Sequence, residues 1–167
     1  LIICKKENNH AASLLYNDKK IKCLFGFSGI GKKLREGDRV SPRGLFCFTE
    51  LFYREDRLGV LRTNIKKKKI TKSSYWSVDS SDPNYNKFYD SPKRYIHEKL
   101  YRKDSSYDLF LNLNYNYKNT QKKKGSAIFL HCMEKNKKFT EGCIAVKKKD
   151  LLKLVKFITP TTRLLIK

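Results

Sequence analysis

A chain of 167 residues with a hydrophobic share of 40% is the size of one folded domain with a real core, and a single unit over residues 1–167 is expected. No run of about 18 apolar residues occurs, which excludes a transmembrane helix. The net charge of +22, from 38 Lys and Arg against 16 Asp and Glu, suits contact with polyanions such as nucleic acid or a bacterial envelope, although the short lysine runs at 66–69, 122–124 and 147–149 read first as a solvated surface.

The chain begins with Leu1 rather than Met, so it is expected to start inside a longer gene product. Residues 1–4, 13–16 and 21–27 read as short strands, and Gly26, Ser28, Gly29 and Gly31 then break the pattern. Residues 35–44 are turn chemistry, followed by a predicted strand over 45–52. From 64 to 95 the text is polar and irregular. A long ordered loop bordering the site is predicted there, with Trp76, Tyr85, Phe88 and Tyr89 arguing against disorder. Residues 97–102 suggest a short helical turn. Alternation over 109–115 predicts a strand, and the apolar run 126–130 predicts a buried strand ending at His131. Leu151, Leu152, Val155 and Ile158 share one face of a predicted helix over 149–158, with Asp150 near its positive end and Thr159-Pro160 stopping it. A closing strand is predicted over 163–166. Strands without β-α alternation argue against a doubly wound sheet. The expected class is mainly β with one or two helices.

The five cysteines are Cys4, Cys23, Cys47, Cys132 and Cys143. The odd number and low density do not suit a disulfide scaffold, and without C-x-x-C a zinc site has little support. Cys4, Cys23 and Cys47 sit in apolar text and read as small buried hydrophobes. Cys132 should face away from its neighbour His131 along a strand and reads as structural.

Cys143 differs in following Gly142, which permits a sharp turn and close approach of a ligand; amides around such a turn can hold an oxyanion. An unperturbed thiol is only a few per cent thiolate at neutral pH, and a neighbouring imidazole corrects this by taking the proton. His131, 12 positions earlier, is the candidate base; a strand, a loop over 134–138 and a return strand would bring the two together. Taken singly, each residue reads more readily as structural than as catalytic; the pair on adjoining segments brings the two readings level.

Residues 125–131 (GSAIFLH) followed by 140–145 (TEGCIA) resemble the signature of the YkuD-type L,D-transpeptidase family. Arg35-Glu36-Gly37-Asp38 with Ser41-Pro42-Arg43-Gly44 resembles its upstream R-E-G-D-x-x-[ST]-P-x-G segment. Residues 75–79 and 82–86 resemble its aromatic-acidic and D-P-x-Y-N segments, and 107–116 resembles the strand before the histidine. The resemblance covers nearly the whole chain in order. It implies a mixed β-sandwich-like catalytic domain and a periplasmic or cell-envelope setting. It also implies attack by Cys143, with His131 as base and later acid, on the third residue of a peptidoglycan stem tetrapeptide, through a thioester. Gly142 and Cys143 are then the candidate oxyanion hole. The chain departs from S-H-G-C-[IV]-R at Glu141 and Ala145 and resembles a branch with T-x-G-C-[VI]-A. Glu141, Ser126, Trp76 and His97, the last within a His97-Glu98 pair, are candidate substrate or supporting residues. No metal or organic cofactor is needed for such chemistry. The alternatives are an L,D-carboxypeptidase or amidase of the same fold and, from another class, a basic nucleic-acid-binding module, for which no recognised motif is visible.

Overall fold

Two-residue alternation of apolar side chains sets most of the architecture. The computed structural model describes residues 1–8 and 11–167. Its elements are β1 (Ile2–Lys6), β2 (Ala12–Tyr16), β3 (Lys19–Leu24), β4 (Ile30–Gly31), β5 (Ser41–Pro42), β6 (Gly44–Tyr53), α1 (Glu55–Leu58), β7 (Lys67–Lys69), β8 (Tyr75–Ser77), β9 (Phe88–Tyr89), β10 (His97–Lys99), β11 (Leu109–Leu113), β12 (Phe129–Cys132), β13 (Ile144–Val146), α2 (Lys148–Leu154) and β14 (Arg163–Ile166). The class is mainly β, as the patterning leads one to expect. No helix among the described residues is long and apolar enough to cross a membrane.

The main sheet runs β11-β12-β13-β3-β2-β1-β14-β6-β7, and β11 also pairs with β6, so the sheet closes on itself. It is mixed: β1–β14, β12–β13 and β6–β7 are parallel pairs. β2 and β3 are joined at Asn17 and Asp18, both at positive φ, the two-residue turn whose twist matches the strands it connects. A second sheet has the order β10-β8-β9.

Alternation divides the core in two. Leu109, Leu111 and Leu113 of β11 join Leu51 of β6 and Leu130 and Cys132 of β12 inside the closed sheet. Their neighbours Phe110, Phe52 and Phe129 point the other way, into an aromatic cluster with Trp76 and Tyr107, as a period of two requires. Phe110 and Phe129 have ring centroids 4.4 Å apart, and Trp76 meets Phe129 edge-on at 4.9 Å. The candidate site stands on this cluster.

Several sequence expectations are corrected. The stretch 64–95 is not one long loop: it supplies β7, β8 and β9. The lysine run forms β7 beside β6, with Lys66 and Lys69 paired to Glu50 and Glu55 at 3.5 and 2.6 Å. Residues 97–99 are strand rather than helix, because Glu98 lies opposite Trp76 across β8 and β10. The strand expected over 126–130 begins only at Phe129, since Gly125 and Ala127 have φ of 101° and 53°. α2 ends at Leu154, short of the expected 158. Tighter turns, Lys156 N–H to Lys153 O at 3.3 Å and Phe157 N–H to Leu154 O at 3.0 Å, keep Val155 and Ile158 buried. Cys4, Cys23 and Cys132 are buried, but Cys47 is only half-buried.

Candidate active site

β12 and β13 set the site. They pair in parallel, with His131 opposite Ala145, so the expected return strand is corrected: the chain loops back before β13 begins. Leu130 and Cys132 fill the core, which leaves Phe129 and His131 on the opposite face. Cys143 precedes β13 by one residue, two before Ala145, and is thus the diagonal neighbour of His131 on that face. Both line a cavity of about 590 Å³ with Lys33, Glu36, Glu98, Tyr107 and Ser126.

The turn that presents Cys143 is fastened from inside. Thr140 Oγ1 donates to the Cys143 carbonyl at 2.6 Å and accepts the Gly142 N–H at 3.1 Å. The Ser41 hydroxyl donates to the Gly142 carbonyl at 2.8 Å and accepts the Gly26 N–H at 2.8 Å. Gly142 has φ of 132°, and a Cβ there would lie 3.0 Å from the Val40 carbonyl, so the turn requires glycine. Of the two amides expected to form an oxyanion hole, those of Gly142 and Cys143, the Gly142 amide donates to Thr140 Oγ1.

The Cys143 thiol donates to the Ala127 carbonyl at 3.1 Å, and its sulfur accepts the Phe129 N–H at 3.3 Å. Burial pushes the thiol up to about 12; the Phe129 amide and Lys33 oppose this, while Glu98 and Glu141 add to it. Burial drives the His131 imidazole down to about 4, against the contribution of the Cys132 carbonyl. That carbonyl lies 2.8 Å from His131 Nδ1. A carbonyl only accepts, so Nδ1 carries the ring proton and Nε2 holds the lone pair. Both members of the pair rest neutral.

The other sequence motifs converge on this cavity. Asp38 holds its loop by accepting the Leu34 and Val40 amides at 2.8 and 3.1 Å and pairing with Lys33 Nζ at 2.5 Å. Glu36 accepts hydrogen bonds from Ser126 Oγ, at 2.8 Å, and from the Tyr85 hydroxyl. Asn86 Oδ1 accepts both the Trp76 indole N–H, at 2.9 Å, and the Ala127 amide, at 3.0 Å. Trp76 is thus fully buried and acts on Ala127 through Asn86 rather than lining the cavity. His97 is also off the cavity wall, its ring edge-on to Tyr75 at 4.6 Å and its Nδ1 2.8 Å from the Tyr95 carbonyl. Glu141 forms a two-pronged pair with Arg39 at 2.6 and 2.8 Å, and Arg39 stacks over Phe27 at 4.3 Å.

Sequence reasoning missed Lys33, Glu36 as a bonding group, Tyr107 and Arg102, all of which line the cavity. Glu98 entered only as the partner of His97. It accepts the Tyr107 hydroxyl at 2.5 Å, and burial raises its carboxyl above the ordinary range. Along β10 His97 and Glu98 face opposite ways, so Glu98 takes the cavity side that His97 does not. Among the described residues no group of three or more His, Cys, Asp or Glu is arranged to hold a metal.

The closed mixed sheet carries a cysteine and a histidine on one face of a single cavity, and the comparison with known families places this fold. The family model for the YkuD L,D-transpeptidase catalytic domain matches residues 2–166, and the chain belongs to that family. A search of the curated proteins finds no match.

Proposed function

We propose that this protein is a cysteine-dependent L,D-transpeptidase that acts on peptidoglycan stem tetrapeptides in the periplasm or cell envelope. The observation that carries the reading is the shared face of Cys143 and His131 in one cavity, with His131 Nε2 left as a base by the Nδ1–Cys132 contact. His131 takes the thiol proton as sulfur attacks the carbonyl of the third stem residue. The Cys143 amide is the candidate donor to the resulting oxyanion. The C–N bond breaks, the terminal D-alanine amine leaves with the proton from the imidazolium, and a thioester remains. An amine of a second stem then attacks the thioester and regenerates the thiol.

The test is mass spectrometry of diaminopimelate-containing tetrapeptide muropeptides after incubation with the protein, with Cys143→Ala and Cys132→Ala in parallel. Cross-linked dimers that require Cys143 and not Cys132 are expected. Tripeptide monomers alone would assign a carboxypeptidase, and turnover by Cys143→Ala would overturn the nucleophile.

A further inference from the structure

Lys33 is a buried lysine in a chain rich in exposed ones: its side chain is 2% exposed. The β4–β5 loop carries it under the nucleophile turn. A Cβ on Gly125 would collide with Lys33 Cε, and a Cβ on Gly142 would lie 3.6 Å from Lys33 Nζ. Gly125 therefore makes room for the lysine stem, and the ammonium lies within contact distance of the Gly142 turn. Asp38 anchors the ammonium at 2.5 Å and is itself fixed by the Leu34, Arg35 and Val40 amides. Solvated lysines adopt many rotamers; this one is confined between the Gly125 and Gly142 backbones with its charge beside the Gly142–Cys143 turn.

We propose that Lys33 is a positioning residue of the acyl-transfer site, whose fixed positive charge beneath the Gly142–Cys143 turn stabilises the negative charge that develops on Cys143 when its proton leaves. This rests on the reading of Cys143 as the nucleophile. The charged and titratable groups sharing the cavity with the thiol are Glu98 from β10, Arg102 after β10, Tyr107 before β11, His131 from β12, Glu134 and Lys137 between β12 and β13, Glu141 beside the turn, and Glu36 and Lys33 from the β4–β5 loop, the last paired with Asp38. Glu98 and Glu141 disfavour a thiolate, and Lys33 offsets them. In a low-dielectric wall one fixed cation acts more strongly than it does in water, and Asp38 tempers the effect.

The experiment measures the alkylation rate of Cys143 by iodoacetamide between pH 7 and 10, read by mass spectrometry on the Cys143 peptide, in wild type, Lys33→Met, Asp38→Asn and the double variant. At fixed pH the rate tracks the thiolate fraction. Lys33→Met and the double variant should slow alkylation about threefold to tenfold, whereas Asp38→Asn, which unmasks the lysine, should not slow it. The double variant leaves no unpaired buried carboxylate and so remains readable if Lys33→Met alone does not fold. Rates within twofold of wild type in a folded Lys33 variant overturn the proposal, as does equal slowing by Asp38→Asn, which would reduce Lys33 to a loop fastener. Because alkylation needs no substrate, this outcome is separate from the turnover test: activity in Cys143→Ala would remove the functional reading and leave the field of Lys33 on the thiol measured.

Discussion

Asn86 links the aromatic cluster to the thiol, and its removal has a calculable cost. It is 1% exposed at φ of 61°. Its Oδ1 accepts from Trp76 and Ala127, and its Nδ2 donates to the Tyr115 and Asn116 carbonyls at 3.2 and 2.7 Å. Asn86→Gly removes all four bonds while tolerating the backbone. At about 1 kcal/mol net per bond, and more where a buried donor such as the Trp76 N–H is left alone, the loss should be about 4 kcal/mol. Asn86→Ala should cost about 1 kcal/mol more, since alanine resists the left-handed region. Against a usual stability of roughly 5–15 kcal/mol, either variant becomes marginal. Urea denaturation at pH 7 gives both numbers, and turnover per folded molecule should also fall, because Ala127 holds the thiol through its carbonyl. A loss below about 1.5 kcal/mol for Asn86→Gly would refute the idea that this side chain sustains the network.

Other outcomes follow from the same geometry. His131 has a folded value of about 4, below the unfolded value of about 6.5. The unfolded chain therefore binds its proton first as pH falls, and stability should drop by about 1–3 kcal/mol between pH 6.5 and 4; His131→Gln should lose that part of the slope in urea titrations at the two pH values. Gly142→Ala should cost about 1–3 kcal/mol from backbone strain and abolish turnover, because its Cβ meets the Val40 carbonyl; calorimetry and the muropeptide assay check the two halves. Glu141→Gln should change stability by less than about 1 kcal/mol, since its pair with Arg39 is largely exposed, and leave turnover within about threefold; a hundredfold loss would instead put Glu141 on the substrate.

The elements legible in the sequence were those with one dominant pattern. β11 is written in Leu109, Leu111 and Leu113, and β14 in its short apolar run. The pieces around the site were legible as motifs but not as neighbours. Nothing in Glu36, Tyr85 and Ser126 taken separately says that the first accepts from the other two, because contacts across long sequence separations leave no local period. Residues 97–102 misled for a related reason: β10 exists through pairing with β8, and its own text carries no alternation long enough to detect. Lys33 was hidden by composition, as one of 38 basic residues. Its distinguishing feature is the room left by Gly125, more than 90 positions away.

The resting charge state has a kinetic consequence. Burial holds the thiol near 12 and the imidazole near 4, so each group favours its neutral form and transfer between them as independent groups runs uphill. Attraction between the ions once formed lowers that cost. In the proposed reaction, proton transfer to His131 then accompanies sulfur–carbon bond formation, and the Ala127 carbonyl first releases the S–H. A reagent that offers the thiol no such concerted path reads the free thiolate alone. Alkylation of wild-type Cys143 should accordingly rise about tenfold per pH unit from 7 to 10, without a plateau. A rate independent of pH below 8 would mean a preformed ion pair, and the neutral resting state would have to be abandoned.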